Sequence, residues 1–326
     1  MLPHIFVALL MGQTEVALPP ARLTDDRLTA DSVVRLATSD EGRRILATDD
    51  DFTKSLSRFD LQCRLKSGGE VTLADWKAFV GKSVRDWTAA EAAKLSDAVA
   101  RVRSRLEKFR VPLPPEVVFV RTTGEEEAEA AYTRGNAVVL PNKVFNYGDT
   151  QFDRLLLHEL FHVISRHDGA LRAKLYDVIG FTVCEPIRLP ESLAPRKITN
   201  PDAPLIDCVI SLAAADGKEH TGAPILYSAR DYDAKRGGTL FQALNFRLLI
   251  VDKQGGRWQP VLKNGEAIVI NVRDEAAFVA KIGKNTNYVI HPDEILADNF
   301  VRLVMADGNI STPRITDAMG KVLARM

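Results

Sequence analysis

Three of the six histidines of this 326-residue chain fall within ten positions, in the stretch DRLLLHELFHVISRHD at residues 153–168. His158 and His162 are four positions apart, which on an α-helix places both rings on one face, a turn from each other. Two neutral imidazole nitrogens at that spacing can reach a single Zn²⁺ at about 2.0–2.1 Å. Glu159 is too close in sequence to be a comfortable third ligand, but it can take a proton from an attacking water. The pattern predicts one Zn²⁺ per chain with a general base beside it.

The alternative is a buried helix whose histidines only make hydrogen bonds. Burial of this helix is expected, because large apolar residues surround the motif: Phe152, Leu155, Leu156, Leu160, Phe161 and Ile164. In such surroundings two histidines and a glutamate would all need polar partners, since an unpartnered buried polar group is costly. Metal binding is therefore the favoured interpretation.

Zinc needs at least one more protein ligand, and the sequence offers two candidates. His167 is near, but on a continued helix it lies about 140° around the surface from His162 and points away from the metal. Glu294, in HPDEILADNF, is the other. Asp298 lies one turn beyond it. These two carboxylates can simply lie on a solvent-exposed face of their helix. Alternatively, one can be a metal ligand and the other can accept a hydrogen bond from the free N–H of a ligating histidine.

His-Glu-x-x-His on one helix, followed by Glu-x-x-x-Asp on a later helix, resembles the gluzincin zinc metallopeptidases, the group that includes thermolysin. The resemblance implies His158, His162 and Glu294 as zinc ligands, Glu159 as general base, and Asp298 as the residue that orients a histidine. It implies a zincin-like catalytic core of a small sheet, a zinc helix and a Glu helix. It covers these two helices and the strand before the first, and 131 residues separate His162 from Glu294.

A donor must also meet the oxyanion that develops during acyl transfer. Tyr288 and His291 stand just before the Glu helix and are the candidates, the alternative being that Tyr288 packs and His291 caps the helix. His220 and Tyr227 are weaker candidates. The resemblance further implies that a strand within GNAVVLP, residues 135–141, pairs with an extended peptide substrate.

The function expected from these residues is that of a zinc-dependent hydrolase, most directly a peptidase acting on a peptide or protein. Two alternatives stay open: a zinc hydrolase of non-peptide amides or esters, and a non-catalytic protein with a structural zinc site. Glu159 argues against the structural site, because a structural site needs no base.

The elements that must position these residues predict an α+β fold. Residues 18–110 read as a helical region, with helical spacing in DSVVRLATSDEGRRIL and TLADWKAFVGKSV, and a capping box at Thr88 and Glu91. The proline-rich VPLPPE marks the boundary of a metallopeptidase domain at 111–326. That domain is expected to begin with a strand at 117–123 and a two-strand hairpin. The zinc helix follows, with Thr150 as N-cap and Gly169 past its end.

Residues 181–285 are expected to form a β-rich insertion of hairpins with DG and GG turns. The Glu helix begins after it, with Pro292 at its first position and Gly308 beyond its end. A last helix, TPRITDAMGKVLARM, closes the chain.

The composition of the chain limits the classes of molecule that it is expected to bind. Lys+Arg and Asp+Glu balance at 43 each, so nothing indicates nucleic acid, and no apolar run approaches the roughly 18 residues of a membrane span. Residues 1–17 have the short apolar run of a signal peptide, which predicts export to the periplasm or outside; the alternative is a buried strand in a cytoplasmic protein. In an exported chain Cys184 can pair with Cys208, leaving Cys63 buried.

Overall fold

The computed structural model describes residues 23, 26–213, 219–272 and 275–324. The chain is a mixed α+β protein, as predicted. Its helices are α1 Ser39–Leu46, α2 Asp51–Ser55, α3 Arg58–Leu65, α4 Leu73–Ser83, α5 Ala89–Leu106, α6 Asp149–His167, α7 Gly169–Val178, α8 Leu240–Ala243, α9 Ala276–Ile282, α10 Pro292–Met305 and α11 Pro313–Val322. Its strands are β1 Val33–Leu36, β2 Val84–Arg85, β3 Glu116–Thr122, β4 Tyr132–Arg134, β5 Ala137–Pro141, β6 Phe181–Val183, β7 Cys208–Ala213, β8 Glu219–Ser228, β9 Leu244–Gln254, β10 Arg257–Pro260, β11 Leu262–Lys263, β12 Glu266–Ala267 and β13 Val269–Ile270.

The first sheet has the strand order β1–β3–β5–β4, with β2 also paired to β3. β1, β3 and β5 are parallel, and β4 runs antiparallel to β5 at one edge. Alternate residues of β3 face two different hydrophobic cores. Val117 and Phe119 belong to the core that includes residues of α5 and α6, and Val118 and Val120 belong to the core that includes residues of α1, α2 and α4. Burial on both faces explains the unbroken apolar run at residues 117–120, in the middle of β3.

The β-rich insertion forms a second, antiparallel sheet in the order β10–β9–β8–β7–β6, with β13 paired to β9. The predicted hairpins are confirmed there. Gly255 and Gly256, which connect β9 to β10, both have positive φ, the conformation that favours glycine in a tight turn. The residues between β7 and β8 lie outside the described part of the chain.

The helices that carry the predicted metal ligands pack against each other, α10 on α6, with α5 also on α6. The capping box of α5 is confirmed, since Thr88 and Glu91 each accept a hydrogen bond from the other's backbone N–H. Pro292 occupies the first turn of α10, as predicted. The predicted N-cap of α6 was wrong: the helix begins after Gly148, and Thr150 lies inside its first turn.

The helix predicted over DSVVRLATSDEGRRIL was wrong in its first half. β1 occupies that half and pairs in parallel with β3, so that Val34 lies opposite Val117. Helix starts only at Ser39, where the Thr38 side chain accepts a hydrogen bond from the Glu41 N–H. Pairing with a distant strand outweighed local helical spacing. The N-terminal region therefore contributes two strands, β1 and β2, to the first sheet.

The end of α6 also differs from expectation. The helix stops at His167, and Asp168 caps a further helix, α7, of which Gly169 is the first residue. Cys63, Cys184 and Cys208 are all free thiols, so the Cys184–Cys208 disulfide is not formed. The proposed signal peptide, residues 1–17, lies outside the described residues. Among the residues that are described, no helix has both the length and the apolar character to cross a membrane.

Candidate functional site

The three predicted ligands meet where α6 packs on α10. His158 Nε2 lies 3.0 Å from Glu294 Oε2, and His162 Nε2 lies 3.5 Å from the same oxygen. One ligand atom from each of the three residues falls within 4.8 Å of the others. Two turns of α6 and the first turn of α10 therefore bring two imidazole nitrogens and a carboxylate oxygen to one point.

The opposite nitrogen of each histidine contacts a carboxylate. His158 Nδ1 lies 3.1 Å from Asp298 Oδ1, the residue predicted to orient a histidine. His162 Nδ1 lies 2.7 Å from Asp293 Oδ2, a partner that the sequence interpretation missed. Carboxylates in these positions hold a proton on Nδ1 and leave Nε2 to face a metal. The signal for Asp293 was its place beside Glu294 at the start of α10.

The donor set fits a metal ion. His162 Nε2 is buried without a hydrogen-bond partner, an arrangement that a bound cation would satisfy. Burial lowers the pKa of His158, but hydrogen bonds to Asp298 and Glu294 outweigh it and raise the pKa to about 10. The cluster therefore attracts a positive charge, which a proton or a metal ion can supply. Two histidines and one glutamate are a common protein set for catalytic zinc.

Glu159 lies beside this cluster as a buried carboxylate. Its Oε2 accepts a hydrogen bond of 2.8 Å from Thr133 Oγ1, on the edge strand β4. Burial raises the pKa of Glu159, an effect that the positive histidines oppose. A buried carboxylate held at one oxygen by a hydroxyl can still use its remaining acceptor sites for a water.

A cavity of about 420 Å³ leads to the cluster. Residues from both helices and from the β-rich insertion line it, among them His158, Glu159, Asp202, Tyr288 and Glu294. This space gives small molecules or an extended chain access to the candidate ligands.

The two candidate oxyanion donors lie in different places. Tyr288 lines the cavity with its side chain partly exposed, and its pKa is raised by burial and then by nearby carboxylates, so the hydroxyl keeps its proton. His291 is buried, and its Nδ1 accepts the Asp293 N–H at 3.1 Å as N-cap of α10. Burial lowers the pKa of His291 to about 4. The placement of His291 supports the capping alternative and gives no support to a donor role.

The remaining candidates lie away from the cluster. His167 is exposed at the end of α6, as the helical angle predicted. His220 is exposed on β8, and Tyr227 is half-buried on the same strand. The strand within residues 135–141 was wrongly chosen as the substrate-pairing strand, because β5 lies between β3 and β4 and has no free edge. The edge next to the cluster is β4.

Two further residues of the cluster come from an irregular segment that the sequence interpretation did not single out. Asn200 Nδ2 donates a 2.6 Å hydrogen bond to Glu294 Oε1. Asp202 lies near Glu159 and His162, with one acceptor atom of each within 4.8 Å of the others. The stretch TNPD at 199–202 offered no periodicity, and its only local signal was the turn-forming composition.

Removing Asp298 is expected to weaken zinc binding without abolishing it. Asp298→Ala takes away the acceptor of the His158 Nδ1 proton, and a loss of this kind typically costs about 10- to 100-fold in metal affinity. Competition with a chromophoric chelator measures the affinity. Asp317→Ala, which removes an exposed carboxylate on α11, is the matched control and should bind zinc as the wild type does. Equal zinc affinity in Asp298→Ala and the control would contradict the orienting role.

Comparison of the chain with protein-family models, with curated proteins and with solved structures found no match. The chemistry open to the site is therefore judged from its donor atoms, their distances and their burial. These describe two imidazoles and a carboxylate converging at the end of a cavity, with a second buried carboxylate alongside.

Proposed function

We propose that the chain is a zinc-dependent hydrolase, and most specifically a peptidase of the gluzincin type. In this proposal the first sheet with α6 and α10 is the zincin-like core, and His158, His162 and Glu294 hold one Zn²⁺. The observation that carries the proposal is the convergence of their three ligand atoms within 4.8 Å, beside the buried carboxylate of Glu159. A structural site would need neither that carboxylate nor a cavity leading to it.

His158, His162 and Glu294 would hold the Zn²⁺, which would supply a water with a pKa lowered toward about 7 and would polarise a substrate carbonyl. Glu159 takes the proton of the attacking water and delivers it to the leaving nitrogen. The Tyr288 hydroxyl, protonated and in the same cavity, donates to the oxyanion. Thr133 holds Glu159 through its hydroxyl and so keeps the base on the side of α6 that faces β4.

A peptide is the favoured substrate because the cavity runs beside an edge of the first sheet. Glu129, Ala130 and Ala131 lie along it, immediately before the edge strand β4. An extended peptide crossing the cavity could pair with this segment through main-chain hydrogen bonds. A small amide or ester could reach the same base and ligands, and it is the alternative class of substrate.

Incubation of zinc-loaded protein with a peptide library, with and without a chelator, tests the proposal. We expect cleavage that the chelator stops and that added zinc restores, with product masses that locate the broken bonds. A panel of non-peptide amides and esters run in parallel distinguishes the alternative substrate class. Failure of the zinc-loaded protein to hydrolyse any substrate of either kind would contradict the proposed function.

A further inference from the structure

Residues 198–202 reach the candidate metal cluster from the β-rich insertion. Besides the contact of Asn200 with Glu294, the segment places Asp202 against β4, where Asp202 Oδ1 accepts the backbone N–H of Thr133 at 2.6 Å. Asp202 is buried and also lines the cavity that leads to the cluster. A segment far from both helices in sequence thus adds a carboxylate to the site.

Buried ionic contacts fix the segment in place. Asp60 accepts hydrogen bonds from the Thr199 N–H at 3.0 Å and from the Thr199 hydroxyl at 2.7 Å. Arg64 donates to the Thr199 carbonyl at 3.0 Å and forms salt bridges of 2.5 Å to Asp60 and 2.6 Å to Glu127. Losing one member of such a buried network is costly, so the segment belongs to the core of the protein and is not a removable plug.

Thr133 joins the two carboxylates of the site. Its hydroxyl donates to Glu159 Oε2 and its backbone N–H donates to Asp202 Oδ1. Acceptor oxygens of Glu159 and Asp202 lie within 4.8 Å of each other. With O–H···O distances of about 2.7–2.8 Å, one water can bridge two oxygens at such a separation.

We propose that Asp202 is a second catalytic carboxylate, which accepts a hydrogen bond from one O–H of the attacking water while Glu159 accepts a hydrogen bond from the other. The proposal rests on the proposed hydrolase function. With both hydrogens held, a lone pair of the water oxygen is directed at the substrate carbonyl, so orientation is fixed before reaction.

The proton balance assigns different roles to the two carboxylates. The O–H bond toward Glu159 breaks as the water oxygen bonds to the carbonyl carbon. Glu159 then gives this proton to the leaving nitrogen as the C–N bond breaks. The hydrogen held by Asp202 stays on the oxygen and ends in the product carboxylic acid, so Asp202 orients the water and takes no proton.

Asp202→Asn tests this role, because the asparagine oxygen can still accept the Thr133 N–H while the NH2 group that replaces the other carboxyl oxygen cannot accept a hydrogen bond from water. We expect kcat to fall about 10- to 100-fold, as for a buried O–H donor left without its acceptor, with KM changed less than about twofold. Zinc affinity should stay within about threefold of wild type, since Asp202 is not among the three proposed ligands, and the absorption spectrum of the Co²⁺-substituted protein should be unchanged. Asp177→Asn, at an exposed position on α7, is the matched control.

Other results would overturn the proposal in different ways. An unchanged kcat in Asp202→Asn, with an active wild type, would remove the catalytic role and leave the hydrolase function standing. A zinc affinity more than about tenfold weaker, with an altered Co²⁺ spectrum, would make Asp202 a metal ligand instead. A rise in activity would show that the carboxylate obstructs the site. A wild type that binds zinc and hydrolyses nothing would overturn the hydrolase function, and the role of Asp202 with it.

Discussion

Replacing Glu159 with glutamine is expected to give a protein that still binds about one zinc per chain and has lost at least about 10²–10⁴-fold in turnover. Glutamine has the shape of glutamate, and its amide oxygen can keep the hydrogen bond from Thr133. Glu159 is not among the three ligands, so metal binding should survive. An amide cannot take a proton from water at neutral pH, so the chemical step should not survive.

Zinc content by atomic absorption, together with kcat on a cleaved peptide, measures both effects on one sample. Glu125→Gln makes the same substitution at an exposed position in the turn before β4 and should match the wild type. Thr133→Val removes the hydroxyl that donates to Glu159 but keeps the Glu159 carboxylate itself. Its kcat should therefore lie between that of the wild type and that of Glu159→Gln. Near-normal turnover by zinc-loaded Glu159→Gln would rule out the proposed base.

The part of the site that could be predicted from the sequence is the part carried by regular helices. His158 and His162 share a face of α6 because they are four residues apart, and Glu294 and Asp298 share a face of α10 for the same reason. That the two faces meet does not follow from either spacing. It follows from the packing of α10 on α6, which local sequence describes only as two apolar stripes.

Residues outside helical faces could not be predicted in this way. Asn200 and Asp202 lie on an irregular segment whose position is set by Asp60 and Arg64, more than a hundred residues earlier in the chain. Thr133 contributes through its place at a sheet edge, which depends on the pairing of β4 with β5. Contacts of this kind have no period in the sequence, because their partners are fixed by tertiary structure.

The fold shows the same division. α5 was predictable because its capping box and apolar spacing are local, and Pro292 marked the start of α10. β1 was mistaken for helix because its four residues are compatible with either structure, and only the pairing of Val34 with Val117 decides between them. The first sheet consequently draws strands from a region expected to be helical.

Glu294 and His167 are the two candidates for the third zinc ligand, and mutating the true ligand should have a much larger effect than mutating the other residue. Glu294 Oε2 lies within 3.5 Å of both histidine Nε2 atoms and is buried, with Asn200 on its other oxygen. His167 is exposed at the last turn of the same helix as the other two histidines, on a different side. Because helix α6 is continuous through His167, its ring cannot turn back to the cluster without unwinding the helix.

Glu294→Ala is therefore expected to bind zinc at least about 100-fold more weakly and to lose measurable activity, because it removes the carboxylate ligand that both histidine Nε2 atoms face. His167→Ala, the matched control on the other candidate, should bind zinc and turn over substrate as the wild type does. Glu294→Gln keeps the side-chain shape and distinguishes loss of the ligand from loss of folding, which circular dichroism checks in all three variants. A metal-free His167→Ala beside a zinc-loaded Glu294→Ala would contradict the ligand set and the gluzincin assignment with it.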